Sequence, residues 1–277
     1  MGVADLVPGV SGGTIALITG VYKDLITGLN NLNFKNFNRH FLRNFKSNKL
    51  DFLLVLFLGI ATSIILFSKI ILFFIDNYIN EISSFFFGLI ICSVYVLLKN
   101  IKPIKFYDVI ILLLSSFIIY QLLKIDNFNN QIDITYIFIC GFLCSCAMIL
   151  PGISGSYILL ILGAYKFILN KLNSLFFNES DSYLFIIAFA LGALIGILTF
   201  SRLIKWLFKN FENKTLIVLT GFILGSLTKI IPSGYGEIEI LNVYNFFTND
   251  TYLILWVFIG IIAIIFLNKI RVKNEIQ

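Results

Sequence analysis

The sequence has little charge and almost no histidine, and apolar residues dominate it. Asp, Glu, Lys and Arg make up 13% of its 277 residues, whereas 58% are hydrophobic and 30 are Phe. The mean hydropathy is +0.94. A chain this poor in charge cannot hide its apolar surface in one soluble core, so an integral membrane protein is predicted. We attribute the net charge of +6 to basic cytoplasmic loops, and we expect no nucleic acid partner.

The shortage of histidine and the placement of cysteine restrict the available chemistry. The single histidine, His40, lies in a basic loop, so a hydrolase or phosphatase that needs histidine has no base in the apolar segments. The cysteines at positions 92, 140, 144 and 146 all lie in apolar segments, which is typical of packing rather than of disulfides or metal sites. We therefore expect no enzymatic activity, no cofactor and no metal.

One stretch of sequence occurs twice. Residues 4–26 and 147–169 align at an offset of 143 with 11 of 23 positions identical, and both contain Pro-Gly-x-Ser-Gly. A second correspondence, at an offset of 133, pairs Gly88 with Gly221. The sequence therefore predicts two related halves within one transmembrane domain, residues 1–124 and residues 125–277.

Hydropathy predicts six plain membrane crossings and one broken segment. About 20 apolar residues cross a bilayer as a helix. This rule gives crossings at residues 52–74, 82–98, 107–123, 183–204, 215–229 and 252–268. Residues 135–170 would form a helix of about 50 Å, which exceeds the roughly 30 Å hydrocarbon core. This segment must break, and Pro151 with its neighbouring glycines marks the position.

Loop charge sets the orientation of these segments. Basic and acidic loops alternate, and the loop of residues 29–51 carries five Lys or Arg against Asp51 alone. The positive-inside bias places both ends of residues 135–170 outside and the C-terminus in the cytoplasm. We predict an all-α polytopic membrane protein with two inverted-topology repeats, each a re-entrant helical hairpin broken at Pro-Gly-x-Ser-Gly plus three transmembrane helices. Only seven residues precede Pro8, so the N-terminal half-helix of the first repeat is expected to be short or missing.

The repeated motif predicts an anion-binding site. Irregular backbone at membrane depth is tolerated where it lines a cavity or is buried in protein, and free amides at a helix N-terminus favour negative charge. Two such N-termini, at residues 11–14 and 154–157, would converge on one site. The alternative is that the small residues only let helices pack closely. Both copies also fit the G-x-S-G of rhomboid-type serine proteases, and a serine–lysine dyad stays open, although duplication of the serine favours binding.

Three ionisable residues are further candidates. Lys69 and Arg202 correspond at the offset of 133 near the ends of apolar spans, where they either contact substrate or extend to the interface. Asp5 is the only carboxylate inside a motif, which indicates either a proton or cation relay or an aspartate at a wet edge. The predicted substrate-binding residues are Asp5, Pro8, Gly9, Ser11, Gly12, Gly13, Thr14, Lys69, Pro151, Gly152, Ser154, Gly155, Ser156 and Arg202.

The motifs also resemble those of a known family. The run ADLVPGVSGGT at residues 4–14 is similar to the signature of bacterial PopT-type polyprenyl-phosphate transporters, and PGISGS at residues 151–156 is similar to their second motif. The resemblance implies inward translocation of undecaprenyl phosphate across the bacterial cytoplasmic membrane, which recycles the lipid carrier of cell-envelope synthesis. A lipid-linked phosphate and membrane lipids are the expected partners. A transporter of a small soluble anion, a non-transporting scaffold and a homodimer stay open.

Overall fold

The structure, a computed structural model, describes residues 1–7, 10–32, 49–101, 103–125, 133–174, 180–227 and 252–276. No strand occurs among these residues, and most of them are helical. In chain order the helices are α1 (Gly2–Asp5), α2 (Gly12–Ile18), α3 (Tyr22–Asn31), α4 (Leu50–Asn77), α5 (Ile79–Asn100), α6 (Phe106–Leu122), α7 (Ile134–Ile149), α8 (Gly155–Ile161), α9 (Tyr165–Ser174), α10 (Ser180–Ser226) and α11 (Leu253–Ile276). The predicted all-α class is confirmed.

Several of the helices are suited to a bilayer. The helices α4, α5 and α10 are long and apolar enough to cross a membrane, and α6, α7 and α11 are shorter apolar helices. Large apolar side chains are exposed along α4 and α11, among them Val55, Ile65, Leu255 and Phe266. A soluble surface rarely carries so much contiguous apolar area. The fold is therefore that of a multi-pass helical membrane protein.

The long apolar segment breaks at Pro151, as the sequence predicts. The helix α7 ends before Pro151, Gly152 takes a left-handed φ of 86°, and α8 follows. A second break, which was not predicted, follows α8, where Gly163 has a φ of 66°. Tyr136 near the start of α7 donates its hydroxyl to the carbonyl of Leu162 just after α8, at 2.6 Å. The chain therefore doubles back on itself at the break.

The two copies of the motif have the same local structure. The helices α2 and α8 each have seven residues and begin 143 positions apart. Extended serines precede them, Ser11 with φ −113° and ψ 132°, and Ser154 with φ −97° and ψ 131°. A left-handed glycine follows each helix, Gly20 at φ 82° and Gly163 at φ 66°, a conformation that glycine adopts without steric cost. The repeated sequence thus folds in the same way twice.

A tight corner also recurs, at the offset of 133. Tyr78, between α4 and α5, has φ −140° and ψ 42°, and Phe211, inside α10, has φ −140° and ψ 45°. The asparagine before each corner, Asn77 or Asn210, donates its side-chain amide to the carbonyl oxygen four residues earlier, at 2.8 Å in both cases. These bonds occupy a carbonyl in the last turn before each corner.

The corner at Phe211 divides α10 into two arms, residues 180–210 and residues 212–226. The crossings predicted at residues 183–204 and 215–229 correspond to these arms, with residues 228–229 outside the described part. The sequence predicted a basic loop between the crossings. The structure has one non-helical residue there, Phe211, because the basic residues of this region are themselves helical and belong to the two arms.

Helices of the two halves pack on each other. Gly88 of α5 lies against the backbone of Val257 in α11, and Gly221 in the second arm of α10 lies against Leu112 and Ser115 in α6. Small residues allow this close approach between membrane helices. The helix α6 therefore belongs to the first half by sequence but packs on the second half, and α11 does the reverse.

Substitution of the two corresponding glycines is expected to destabilise the protein. A Cβ atom at Gly88 or Gly221 would overlap backbone or side-chain atoms of the partner helix, and overpacking of this kind costs about 1–3 kcal/mol. Gly88→Ala and Gly221→Ala should each lower the midpoint of thermal aggregation in detergent, followed by fluorescence-detected size-exclusion chromatography.

Gly59 offers the matched control, because a Cβ there meets nothing within 4 Å. Gly59→Ala should leave the midpoint unchanged or raise it slightly, since alanine favours a helix over glycine by about 1 kcal/mol. Equal losses at all three positions would show that helix contact does not explain the effect.

Candidate functional site

The two copies of the motif meet inside the protein. The backbone N–H of Gly152 donates to Thr14 Oγ1 at 2.9 Å, and both residues are buried. The Ser11 hydroxyl lies 3.5 Å from the Leu150 carbonyl to which it donates. Tyr22 donates its buried hydroxyl to the Ile149 carbonyl at 3.0 Å. We call this set of bonds the motif contact; it joins the first copy of the motif to residues 149–152 of the second. Convergence of the N-termini at residues 11–14 and 154–157 on one site stays a prediction.

The amides at the start of α2 have partners within the first motif. The N–H of Gly13 donates to Ser11 Oγ at 3.2 Å, and the N–H of Gly12 donates to Asp5 Oδ1 at 2.7 Å. Asp5 therefore caps α2 across the turn, where a carboxylate complements the partial positive charge of the helix end. A Cβ at Gly12 would lie 2.5 Å from Asp5 Oδ2. Glycine at this position lets the carboxylate approach the amide.

The second motif is arranged differently around its helix. The hydroxyls of Ser154 and Ser156 bond to each other at 2.8 Å, and the Ser154 side chain does not cap α8. Ser156 is exposed and Ser154 is half-buried. Met148, which corresponds to Asp5, lies against Gly155. The second motif therefore has hydroxyl donors and a thioether where the first motif has a carboxylate.

Four of the other predicted site residues are not among those that form the motif contact. Pro8 and Gly9 are outside the described residues. Lys69 is exposed on α4, and Arg202 is exposed on the first arm of α10. Neither lines the motif contact. Within the part of the chain that the structure describes, no three His, Cys, Asp or Glu side chains gather where they could hold a metal ion.

An apolar groove adjoins the motif contact. It has a volume of about 610 Å³ and lies between the two arms of α10, with Leu150 at its wall. Its lining is apolar except for Lys214 and Thr215. The sequence analysis did not find this groove, because its two walls become neighbours only through the corner at Phe211. The recurrence of Asn-aromatic at residues 77–78 and 210–211 is the signal that could have located the corner.

The helix α3 ties the first half to the corner of the second. The rings of Tyr22 and Phe208 lie 5.8 Å apart, and Lys23 forms an ion pair with Glu212. Beside them a small pocket of about 210 Å³ is lined by Lys23, Lys205 and Lys209 among others. The segments that meet here are the ones that loop charge places at the cytoplasmic face.

These features define a helical, multi-pass membrane protein in which two similarly folded motifs meet beside an apolar groove. The chain belongs to the undecaprenyl phosphate translocase-like family, whose model matches residues 1–245. A polyprenyl-phosphate transporter of Vibrio cholerae is 37% identical over 241 residues, which cover 84% of this chain and 75% of that protein. A polyprenyl-phosphate transporter of Staphylococcus aureus is 30% identical over 288 residues, covering 99% of this chain and 95% of that protein. No solved structure matches the chain.

The buried bond between Thr14 and Gly152 is expected to stabilise the motif contact. Thr14→Val removes the acceptor and leaves a buried N–H unpaired, which costs about 1–2 kcal/mol. Thr14→Ser keeps the oxygen and serves as the control. Thermal unfolding in detergent should show a lower midpoint for the valine variant than for the serine variant. If the valine variant is as stable as the wild-type protein, or no less stable than the serine variant, the hydrogen bond does not stabilise the motif contact.

Proposed function

We propose that this protein translocates polyprenyl phosphate across the bacterial cytoplasmic membrane as a non-enzymatic transporter. The observation that carries the proposal is the meeting of the two motifs beside an apolar groove. A lipid phosphate needs a polar site for its head group and an apolar path for its chain, and the polar motif contact adjoins the apolar groove here. Family membership and two relatives named polyprenyl-phosphate transporter support the same substrate class.

The proposed architecture is a pair of inverted repeats, each with a re-entrant hairpin. The equal lengths of α2 and α8 support the repeat, and so do the nearly identical backbone angles at Tyr78 and Phe211. The contact between Tyr136 and Leu162 supports a hairpin whose two ends lie on one side of the membrane. Lys23, in the helix that leads into the basic loop of residues 29–51, pairs with Glu212, which supports placing these two regions on the same side of the membrane. The positive-inside bias makes that side, and the C-terminus, cytoplasmic.

The proposed head-group site comprises the predicted motif residues around the motif contact. The amides of Gly12, Gly13 and Gly152 already have protein partners. The hydroxyls of Ser154 and Ser156 are therefore the most accessible donors of the second motif. A phosphate that approached them would exchange one weak hydroxyl pair for charge-assisted bonds, which are shorter and stronger. Lys69 and Arg202 stay predicted contributors of positive charge.

The groove favours a lipid over a small soluble anion. A soluble anion needs a polar, hydrated path through the membrane, since ionisable groups at membrane depth are otherwise costly. The described groove has apolar walls beside the motif contact. An isoprenoid chain can occupy such a groove while the rest of its length remains in the bilayer.

Loss of the serine hydroxyls is expected to reduce translocation. A Ser154→Ala, Ser156→Ala double variant in proteoliposomes should flip labelled undecaprenyl phosphate at least roughly tenfold more slowly, equivalent to about 1.4 kcal/mol of lost transition-state binding. Adding Ser11→Ala should reduce the rate further, because Ser11 caps α2 and contacts Leu150.

Ser93→Ala is the matched control for this assay. Ser93 is fully buried and bonds only within α5, to the Ile90 carbonyl at 2.5 Å, so its loss should leave the rate near the wild-type value. If the double variant is inserted at wild-type levels and is fully active, Ser154 and Ser156 do not belong to the head-group site. Absence of flipping by the wild-type protein would contradict the proposed function itself.

A further inference from the structure

We propose that the groove between the two arms of α10 is an inner-leaflet binding site for polyprenyl phosphate, with Lys214 as the partner of the phosphate. This inference rests on the proposed function and extends it to a site away from the repeated motifs. The chain would lie between the arms, and the head group would lie at the corner near Phe211.

The walls of the groove match an isoprenoid chain. Phe200 and Leu207 of the first arm and Val218 and Phe222 of the second arm line the groove, and Phe211, at the corner between the arms, lines it as well. The volume of about 610 Å³ lies within the range of roughly 300–1,000 Å³ that is usual for small-molecule sites. It is large enough for several isoprene units but not for a whole polyprenyl chain. The remaining units would extend into the bilayer.

One cation lines the groove close to the corner at Phe211. Lys214 lines the groove, and its ammonium group lies 5.8 Å from the ring centre of Phe211 and 6.0 Å from that of Tyr107. These cation–π contacts hold the charge at the corner. The acidic residue beside it, Glu212, is paired with Lys23. The corner therefore presents net positive charge to an anionic head group.

The corresponding corner of the first half carries the opposite charge. At the offset of 133, Lys214 corresponds to Glu81, which follows the corner at Tyr78 by the same three residues. The backbone at the two corners is the same, so the structural repeat does not explain the change of charge. A phosphate would be attracted at one corner and repelled at the other.

The position of the groove suits a lipid in the inner leaflet. The corner at Phe211 lies among the basic residues that the positive-inside bias assigns to the cytoplasmic boundary. From there the groove runs inward to Phe222 and Leu150, next to the motif contact. A head group at the boundary with its chain directed toward the midplane is the ordinary orientation of a lipid. The deep end of the groove would connect this site with the motif contact.

Photo-crosslinking of the full-length protein in proteoliposomes tests the site. A polyprenyl phosphate with a diazirine in its chain should label the arms of α10, and mass spectrometry should locate the label. Lys214→Ala should reduce labelling roughly fivefold, since a basic residue near the membrane surface contributes about 1 kcal/mol to binding of an anion. Lys214→Arg should restore it. Val218→Trp should block labelling by filling the groove.

Lys209→Ala is the control, because it removes the same charge near the same corner but lines the neighbouring small pocket. Competition identifies the ligand: undecaprenyl phosphate should suppress labelling, whereas undecaprenol, inorganic phosphate and phosphatidylglycerol should not. Suppression by phosphatidylglycerol would indicate a general lipid surface and would overturn the proposal. Equal losses for Lys209→Ala and Lys214→Ala would overturn the role of Lys214. Normal labelling of Val218→Trp would overturn the groove as the binding site, even if the wild-type protein still flips lipid.

Discussion

The bond from the N–H of Gly152 to the Thr14 hydroxyl shows the constraint on which the rest of the structure depends. Lipid supplies no hydrogen-bond partners, so each backbone group freed by a break in a membrane helix must find one in the protein. Here the second break uses the first copy of the motif: Thr14 accepts the N–H of Gly152, and the carbonyls of Ile149 and Leu150 accept hydroxyls from Tyr22 and Ser11. The backbone groups at the second break therefore hold the two copies together, whereas the amides at the start of α2 have partners within the first motif.

The two motifs, and likewise the two corners, are alike in backbone but unlike in charge. Asp5 and Met148 occupy corresponding positions, each seven residues before α2 or α8 begins, and Lys214 and Glu81 occupy corresponding positions after the corners. In the first motif the carboxylate of Asp5 occupies the helix end that an anion would otherwise favour. The second motif has no such internal anion. A head group would thus meet donors mainly from the second motif, although the two motifs have similar backbones.

Much of the fold could be predicted from the sequence because its signals are local. The break at Pro151 and the apolar spans follow from steric limits and hydropathy, and the repeated motif located the two similarly folded turns. The break at Gly163 was not predicted. The region around Phe211 was predicted as a loop because its lysines interrupt the apolar pattern. In the structure these lysines are helical, and only Phe211 departs from the helix. The cap formed by Asp5 and the groove beside Leu150 depend on contacts between distant segments. No local pattern encodes those contacts.

The unequal charge at the two corners would affect how much of the time the lipid occupies each corner, and not the direction of net transport. A site that binds a lipid more tightly on one side shifts the distribution between conformations by the difference in affinity. Tighter binding on one side cannot drive net flux, because the lipid must overcome the same binding free energy when it dissociates. Net inward movement then requires a difference in lipid concentration or coupling to another gradient. A single lysine beside apolar walls suits this requirement, since it attracts a phosphate without the multiple charge-assisted bonds that would prevent its release.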